Sequence, residues 1–249
     1  MPSRELPPET LVPDDLPMLR YAFGRAAHDL NNYLSGLLGY LGLIRNRLPN
    51  EPDCARFFEY MERSGKRMAA LLKLLADVAD PPAPAAGPVD ANAAVKEAAR
   101  RVVESTGAAL EPRLELDEAV PRVAAHAGSL REAVEHLLLN AFEATAERPA
   151  RVTVRSAAAP APADVLVPPS ATISAFVRID VEDHGAGMDE QSAPRCVMPF
   201  YTTKRATDQH GLGLAVACSC VCAWGGGLDV RSRPGAGTTV SVFLVPARA

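Results

Sequence analysis

His28, Asp29 and Asn32 stand together in AHDLNNYL, a grouping that can make one imidazole nitrogen a nucleophile. Asp29 can accept a hydrogen bond from one ring nitrogen, which fixes the tautomer and sharpens the other nitrogen. Asn32 is one helical turn on, beside His28 on the same face. A second group lies far along the chain. Asp183, Gly185 and Gly187 form D-x-G-x-G after the apolar run VRIDVE, where glycines let backbone approach a ligand. The same residue types also make ordinary turns. Gly211 and Gly213 open the segment HGLGLAVACSCVCAW, and the bare N–H groups of a helix N-terminus favour anions such as phosphate. Asn140 sits inside a helical pattern at a propensity cost of roughly several tenths of a kcal/mol, which hints at a function. Lys204, in PFYTTK, is a cation that can approach phosphate or stay solvated. Cys218, Cys220 and Cys222 lack C-x₂-C spacing and have no histidine at ligand distance, so they read as core packing rather than a metal site. On a helix the three cannot all face one way.

Elements of two textures must position these groups. Leu16, Leu19, Phe23, Ala26, Leu30, Leu34, Leu37, Leu41, Ile44 and Leu48 recur at three- and four-residue steps, predicting a long helix over 14–48. Phe57, Met61, Ser64, Met68, Leu71, Leu75 and Val78 continue the pattern after the breakers Pro49, Asn50 and Pro52. Two such helices make an antiparallel hairpin with too little core to stand alone, so a homodimeric four-helix bundle is expected. At about 100° per residue, His28 lies about 200° around from Ala26 and Leu30 and points to solvent. DPPAPAAGP, 80–88, is a stiff Pro/Ala connector. Beyond it come helices over 90–105, 128–147 and 212–224, and strands over 113–116, 152–156, 177–183, 228–232 and 238–245. A low-complexity excursion between the second and third strands is expected to be a mobile loop. The fold class is therefore a helical hairpin forming a dimeric four-helix bundle, followed by an α/β sandwich of α+β order. The divisions are a disordered 1–13, a helical hairpin over 14–80, a linker over 81–88 and a second domain over 89–249.

Composition narrows the classes. A chain of 249 residues with 48% hydrophobic content can bury two modest cores. A net charge of −4 argues against a nucleic-acid binder. No apolar run approaches the ~20 residues of a membrane span, so membrane insertion is not expected. The Pro-rich, acidic start MPSRELPPETLVPDDLP lacks the form of a signal peptide. The expected location is cytoplasmic.

Four segments in order, AHDLNNYL, HLLLNAFEA, VEDHGAGM and PFYTTK with HGLGLA, resemble the signature boxes of two-component sensor histidine kinases, above all the nitrogen-regulation type. The resemblance spans about residues 20 to 246. It implies a protein histidine kinase that autophosphorylates on His28 from Mg-ATP and passes the phosphoryl group to an aspartate of a response regulator receiver domain. Asp29 would assist the attack, and Asn32 would position water for a phosphatase reaction. Asn140 would hold Mg²⁺, Asp183 would read adenine with Gly185 and Gly187, and Gly211, Gly213 and Lys204 would meet phosphates in a nucleotide pocket of the Bergerat type. Phe200 would pack a lid against the domain. The chain departs from the family pattern at three places. Tyr33 replaces a proline after Asn32, His136 replaces an asparagine near the phosphates, and Gln209 replaces the first glycine of the last box. His136 can still donate to a phosphate. His136 and Gln209 motivate an alternative, a histidine phosphotransferase or phosphatase whose second domain no longer binds ATP. A third reading takes the same ATP fold in a serine kinase or gyrase-like ATPase, against which the HDLNN hairpin speaks. Only about a dozen residues precede the hairpin, so the signal is expected to come from a separate sensor protein, from a segment missing from this sequence, or from nothing at all.

Overall fold

Two helices make up the first of two units, Met1–Asp80, and the rest of the chain makes the second. The structure, a computed structural model, describes residues 16–45, 52–106, 111–145, 151–202 and 211–248, with hairpin side chains from Gly24 and from Ala55. The expectations for residues 1–13 and for Leu48, Lys204 and Gln209 lie outside the described residues.

Helix α1 (Leu16–Arg45) and helix α2 (Pro52–Ala79) pair as the hairpin. On α2, Phe58, Gly65, Leu72 and Ala79 recur every seven residues and are buried, as are Ala27 and Leu34 of α1. Gly65 lets the helices close together, since a Cβ there would lie 2.5 Å from Leu38 Cδ2. The single apolar stripe expected on α1 is two faces. Leu34 is buried and Leu41 half-buried, whereas Ala26, Leu30, Leu37 and Ile44 are exposed, with Leu37 at 68%. Phe57, Met61 and Met68 are similarly exposed on α2. One neighbouring helix can cover only part of an apolar arc this wide.

The second unit is a five-stranded sheet with helices α3 (Ala91–Thr106), α4 (Ala127–Ala144) and α5 (Gly213–Ala223). Its strands are β1 (Arg113–Leu116), β2 (Val152–Pro160), β3 (Ala175–Asp183), β4 (Gly227–Arg233) and β5 (Gly237–Leu244), in the order β1-β2-β3-β5-β4. Only β1 and β2 are parallel. Val177, Ile179 and Val181 alternate inward along β3, and the pleat continues that series to Asp183, itself buried. Arg178 and Glu182 stand on the other face, where Arg155 of β2 bridges Glu115 and Glu182.

The excursion over 161–174 is not loose. Val167 and Leu228 exchange both backbone hydrogen bonds, at 2.8 and 2.9 Å, and Ala171 N–H donates to the Gly225 carbonyl at 3.1 Å. Its neighbours β2 and β3 also run farther than expected, to Pro160 and from Ala175. The cause is the outer edge of β4, whose unpaired N–H and C=O groups bind any extended segment that reaches them. Residues 81–88 likewise pack within the second unit. Trp224 Nε1 donates to the Pro82 carbonyl at 2.8 Å, Ala85 N–H donates to Ala125 at 3.0 Å, and Val89 pairs with Val123.

Candidate functional site

Helix α4 carries the centre of the second unit's site. Its buried arc, Leu130, Ala133, Val134, Leu137, Leu138 and Ala141, lies against neighbouring elements, which leaves His136 and Asn140 half-buried at the margin. His136, Asn140 and Ala144 follow at four-residue steps, one above the other. Two turns close on this line from opposite ends. At one end Gly213, first residue of α5, lies so near His136 that a Cβ would sit 3.3 Å from the histidine Cβ. At the other, a Cβ on Gly185 would fall 2.3 Å from the Ala144 carbonyl oxygen, and Ala186 N–H donates to that oxygen at 3.1 Å. Asn140 is thus on the stretch of α4 between the two glycine turns.

Asp183 ends the inward series of β3 and is held there. Its Oδ1 accepts from Gly185 N–H at 2.8 Å and from Thr238 N–H at 3.3 Å, which fixes the plane of the carboxylate. Gly187 has φ +67, and a Cβ there would lie 2.0 Å from the Arg233 carbonyl oxygen. Gly237, at φ +94, approaches the Asp183 carbonyl oxygen equally closely. The β4–β5 hairpin therefore braces the D-x-G-x-G turn, with Ser232 Oγ accepting from Met188 N–H at 2.7 Å. In sequence, Pro234-Gly235-Ala236-Gly237 signals only a hairpin. Nothing local to it reveals that Gly237 and Thr238 support Asp183.

Gly211 adopts φ +64 beside Tyr201, and its carbonyl accepts from Phe200 N–H at 3.0 Å. The segment entering the PFYTTK run and the turn leaving it are so tied together. Phe200 does not pack as expected. Its φ is +66 and the residue is 50% exposed. Tyr201 takes the anchoring part, donating through its hydroxyl to Ser192 Oγ at 3.0 Å. Asp189 accepts from the N–H groups of Gln191 and Ser192, and the Ser192 hydroxyl and amide beside it hold its carboxyl below the usual carboxylate range. The first-turn N–H groups of α5 have no acceptor within the helix, so they can meet an anion.

In the first unit, His28 is 74% exposed. Asp29 Oδ1 and Asn32 Nδ2 each stand 3.4 Å from His28 Nδ1. Asp29 Oδ1 accepts and Asn32 Nδ2 donates, so a protonated Nδ1 serves Asp29 and a bare Nδ1 serves Asn32, one at a time. If Nδ1 carries the proton it donates to Asp29, and Nε2 then holds the lone pair.

A nucleotide fits these residues. The glycines let backbone strands close on one another around the turn, a fixed buried carboxylate suits an amine, and the α5 N-terminus suits phosphate. An amide oxygen at Asn140 is a hard donor suited to Mg²⁺.

A sandwich of this strand order with a braced D-x-G-x-G turn and a glycine-opened helix defines a class of nucleotide-binding domain. Residues 125–248 match the family described as Histidine kinase-, DNA gyrase B-, and HSP90-like ATPase. Sensor histidine kinase ZraS of Escherichia coli K12 is 24% identical over 219 residues, covering 88% of this chain and 43% of ZraS. Histidine protein kinase DivJ of Caulobacter vibrioides is 29% identical over 229 residues, covering 88% of this chain and 36% of DivJ. Full-length ShkA, solved in complex with AMPPNP, superposes with a TM-score of 0.66 at 21% identity, over 96% of this chain and 47% of ShkA. AdeS of Acinetobacter baumannii gives 0.55 at 16% identity, over 89% and 98%. Through its second unit the chain belongs to that ATPase family, and within it to the two-component sensor histidine kinases. It spans less than half the length of these two curated relatives.

Proposed function

We propose that the chain is a homodimeric, cytoplasmic protein histidine kinase that phosphorylates His28 from Mg-ATP. The observation that carries this reading is the placement of Asn140 between the Gly185 and Gly213 turns, in a chain that also presents an exposed imidazole with Nδ1 engaged. The Nε2 lone pair attacks the γ-phosphorus, the bond to the β,γ-bridging oxygen breaks, and ADP leaves. The imidazole gains positive charge, and Asp29 beside Nδ1 stabilises it. Asp183 accepts from the adenine amine. The α5 N-terminus and His136 face the phosphates, and Asn140 holds Mg²⁺. The ion's contribution, when bound, is to offset phosphate charge. The phosphoryl group then passes to an aspartate of a response regulator, and Asn32 orients water for the separate hydrolysis of that aspartyl phosphate to inorganic phosphate. A separate sensor protein supplies the input.

The degenerate, non-binding alternative is not favoured. Asp183 keeps both backbone donors, and Gly185 and Gly187 keep the close backbone approaches that brace the turn. γ-Labelled ATP with Mg²⁺ tests the proposal. Acid-labile, base-stable label is expected on the parent chain and is absent from His28→Gln, while binding of a non-hydrolysable ATP analogue persists in that variant. Label that survives in His28→Gln overturns it.

A further inference from the structure

Helix α5 carries a feature that the phosphotransfer reading does not use. Cys218 and Cys222 are one turn apart, and their sulfurs lie 4.0 Å from each other. Both are half-buried on the outer side of α5, whereas Cys220, about 200° around the helix from Cys218, is buried in the core. Cys196, which follows the short 3₁₀ turn Ala193–Arg195, donates through Sγ to the Ala193 carbonyl at 2.9 Å. It is close enough to Cys218 for a charge on either to repel a charge on the other.

We infer that Cys218 and Cys222 form a dithiol site for a soft thiophile that two sulfurs satisfy, of the class of a monosubstituted trivalent arsenical. Spacing supports this. With bonds of about 2.3 Å to sulfur and the nearly right-angled bonds of pyramidal trivalent arsenic, two sulfurs lie about 3.4 Å apart, so side-chain rotation that draws the 4.0 Å pair together closes the site without moving the helix. Among the described residues no group of three His, Cys, Asp or Glu could hold a metal ion, which turns the choice from zinc-like ions to two-coordinate thiophiles. The electrostatics select further. The hydrogen bond from its partner and its burial push the Cys218 thiol well up, and burial raises Cys196 to about 11. Protonated thiols attack alkylating agents and peroxide slowly. An arsenoxide carries its own proton acceptor: two S–H bonds break, two As–S bonds form, and the oxide oxygen departs as water with both protons. Arsenic stays trivalent, so no oxidant is needed. Loading the pair staples the middle of the helix whose first residue is Gly213.

Phenylarsine oxide titrated into the reduced full chain tests the site. One adduct per chain is expected by intact mass, resistant to a tenfold excess of a monothiol and removed by a dithiol. Cys218→Ser and Cys222→Ser should each lower retention at least tenfold, while Cys220→Ser and Cys196→Ser retain it. Peptic fragments of the unmutated adduct, which do not depend on any variant folding, should carry arsenic within 218–222 alone. A stable adduct in Cys218→Ser, a fragment cross-linked to Cys196, or no dithiol-reversible adduct at all would overturn the inference.

Discussion

Gly187 shows how little room single residues have around the braced turn. With φ +67 and the Arg233 carbonyl where a side chain would begin, alanine is excluded by both backbone and space. Gly187→Ala should cost about 1–3 kcal/mol in urea unfolding, the scale of strain at special backbone positions, and weaken ATP-analogue binding in calorimetry. Gly39 gives the opposite case, an exposed helical glycine of α1 with nothing within 4 Å of a built Cβ. Gly39→Ala should raise stability by about 0.5–1 kcal/mol through helix propensity; a loss would show a contact on that face. Cys196 tests burial directly. Because burial raises its thiol from the ordinary 9.0 to about 11, its alkylation rate, followed by mass spectrometry, should still be climbing at pH 10. A plateau near pH 9 would mean that the thiol is more open than the structure shows.

Elements were legible where periodicity was strong and chain neighbours decided the outcome. The stripes of α1 and α2 marked the hairpin, and the alternation Val177, Ile179, Val181 led to Asp183. Partners distant in sequence stayed hidden. Nothing in the Ala/Pro excursion announces that Val167 would bind Leu228, because backbone groups make that contact and carry no side-chain signal. Phe200, which the family resemblance set packing a lid against the domain, is half exposed at a left-handed φ that its residue type does not announce. The loop before it depends on Asp189, whose carboxyl is held below its ordinary 3.8 by the Ser192 hydroxyl and amide. A depressed folded value means that its contribution is present above pH ~4 and lost as pH falls through the lowered value. Asp189→Ala should therefore melt below the parent at pH 7, and thermal scans should show the gap shrinking as pH drops below about 4. A gap that persists at low pH would assign the effect to something other than the charge.

For the whole molecule, the exposed apolar faces of the hairpin are the surface on which the proposed homodimer would form. Leu30, Leu37 and Ile44 on α1 and Phe57, Met61 and Met68 on α2 are exposed large apolar residues gathered on one hairpin, the kind of surface that marks an interaction face. Leu37→Glu should shift the chain from dimer to monomer in analytical ultracentrifugation and leave ATP-analogue binding in the second unit intact; an unchanged sedimentation coefficient would remove that face from the interface. No described helix is long and apolar enough to cross a membrane. The chain also holds one tryptophan, Trp224, buried at the end of α5 with its indole N–H on the Pro82 carbonyl. Its emission is therefore a built-in optical gauge of the junction, blue while Pro82 stays seated and shifting to the red when water reaches the indole, with no dye attached.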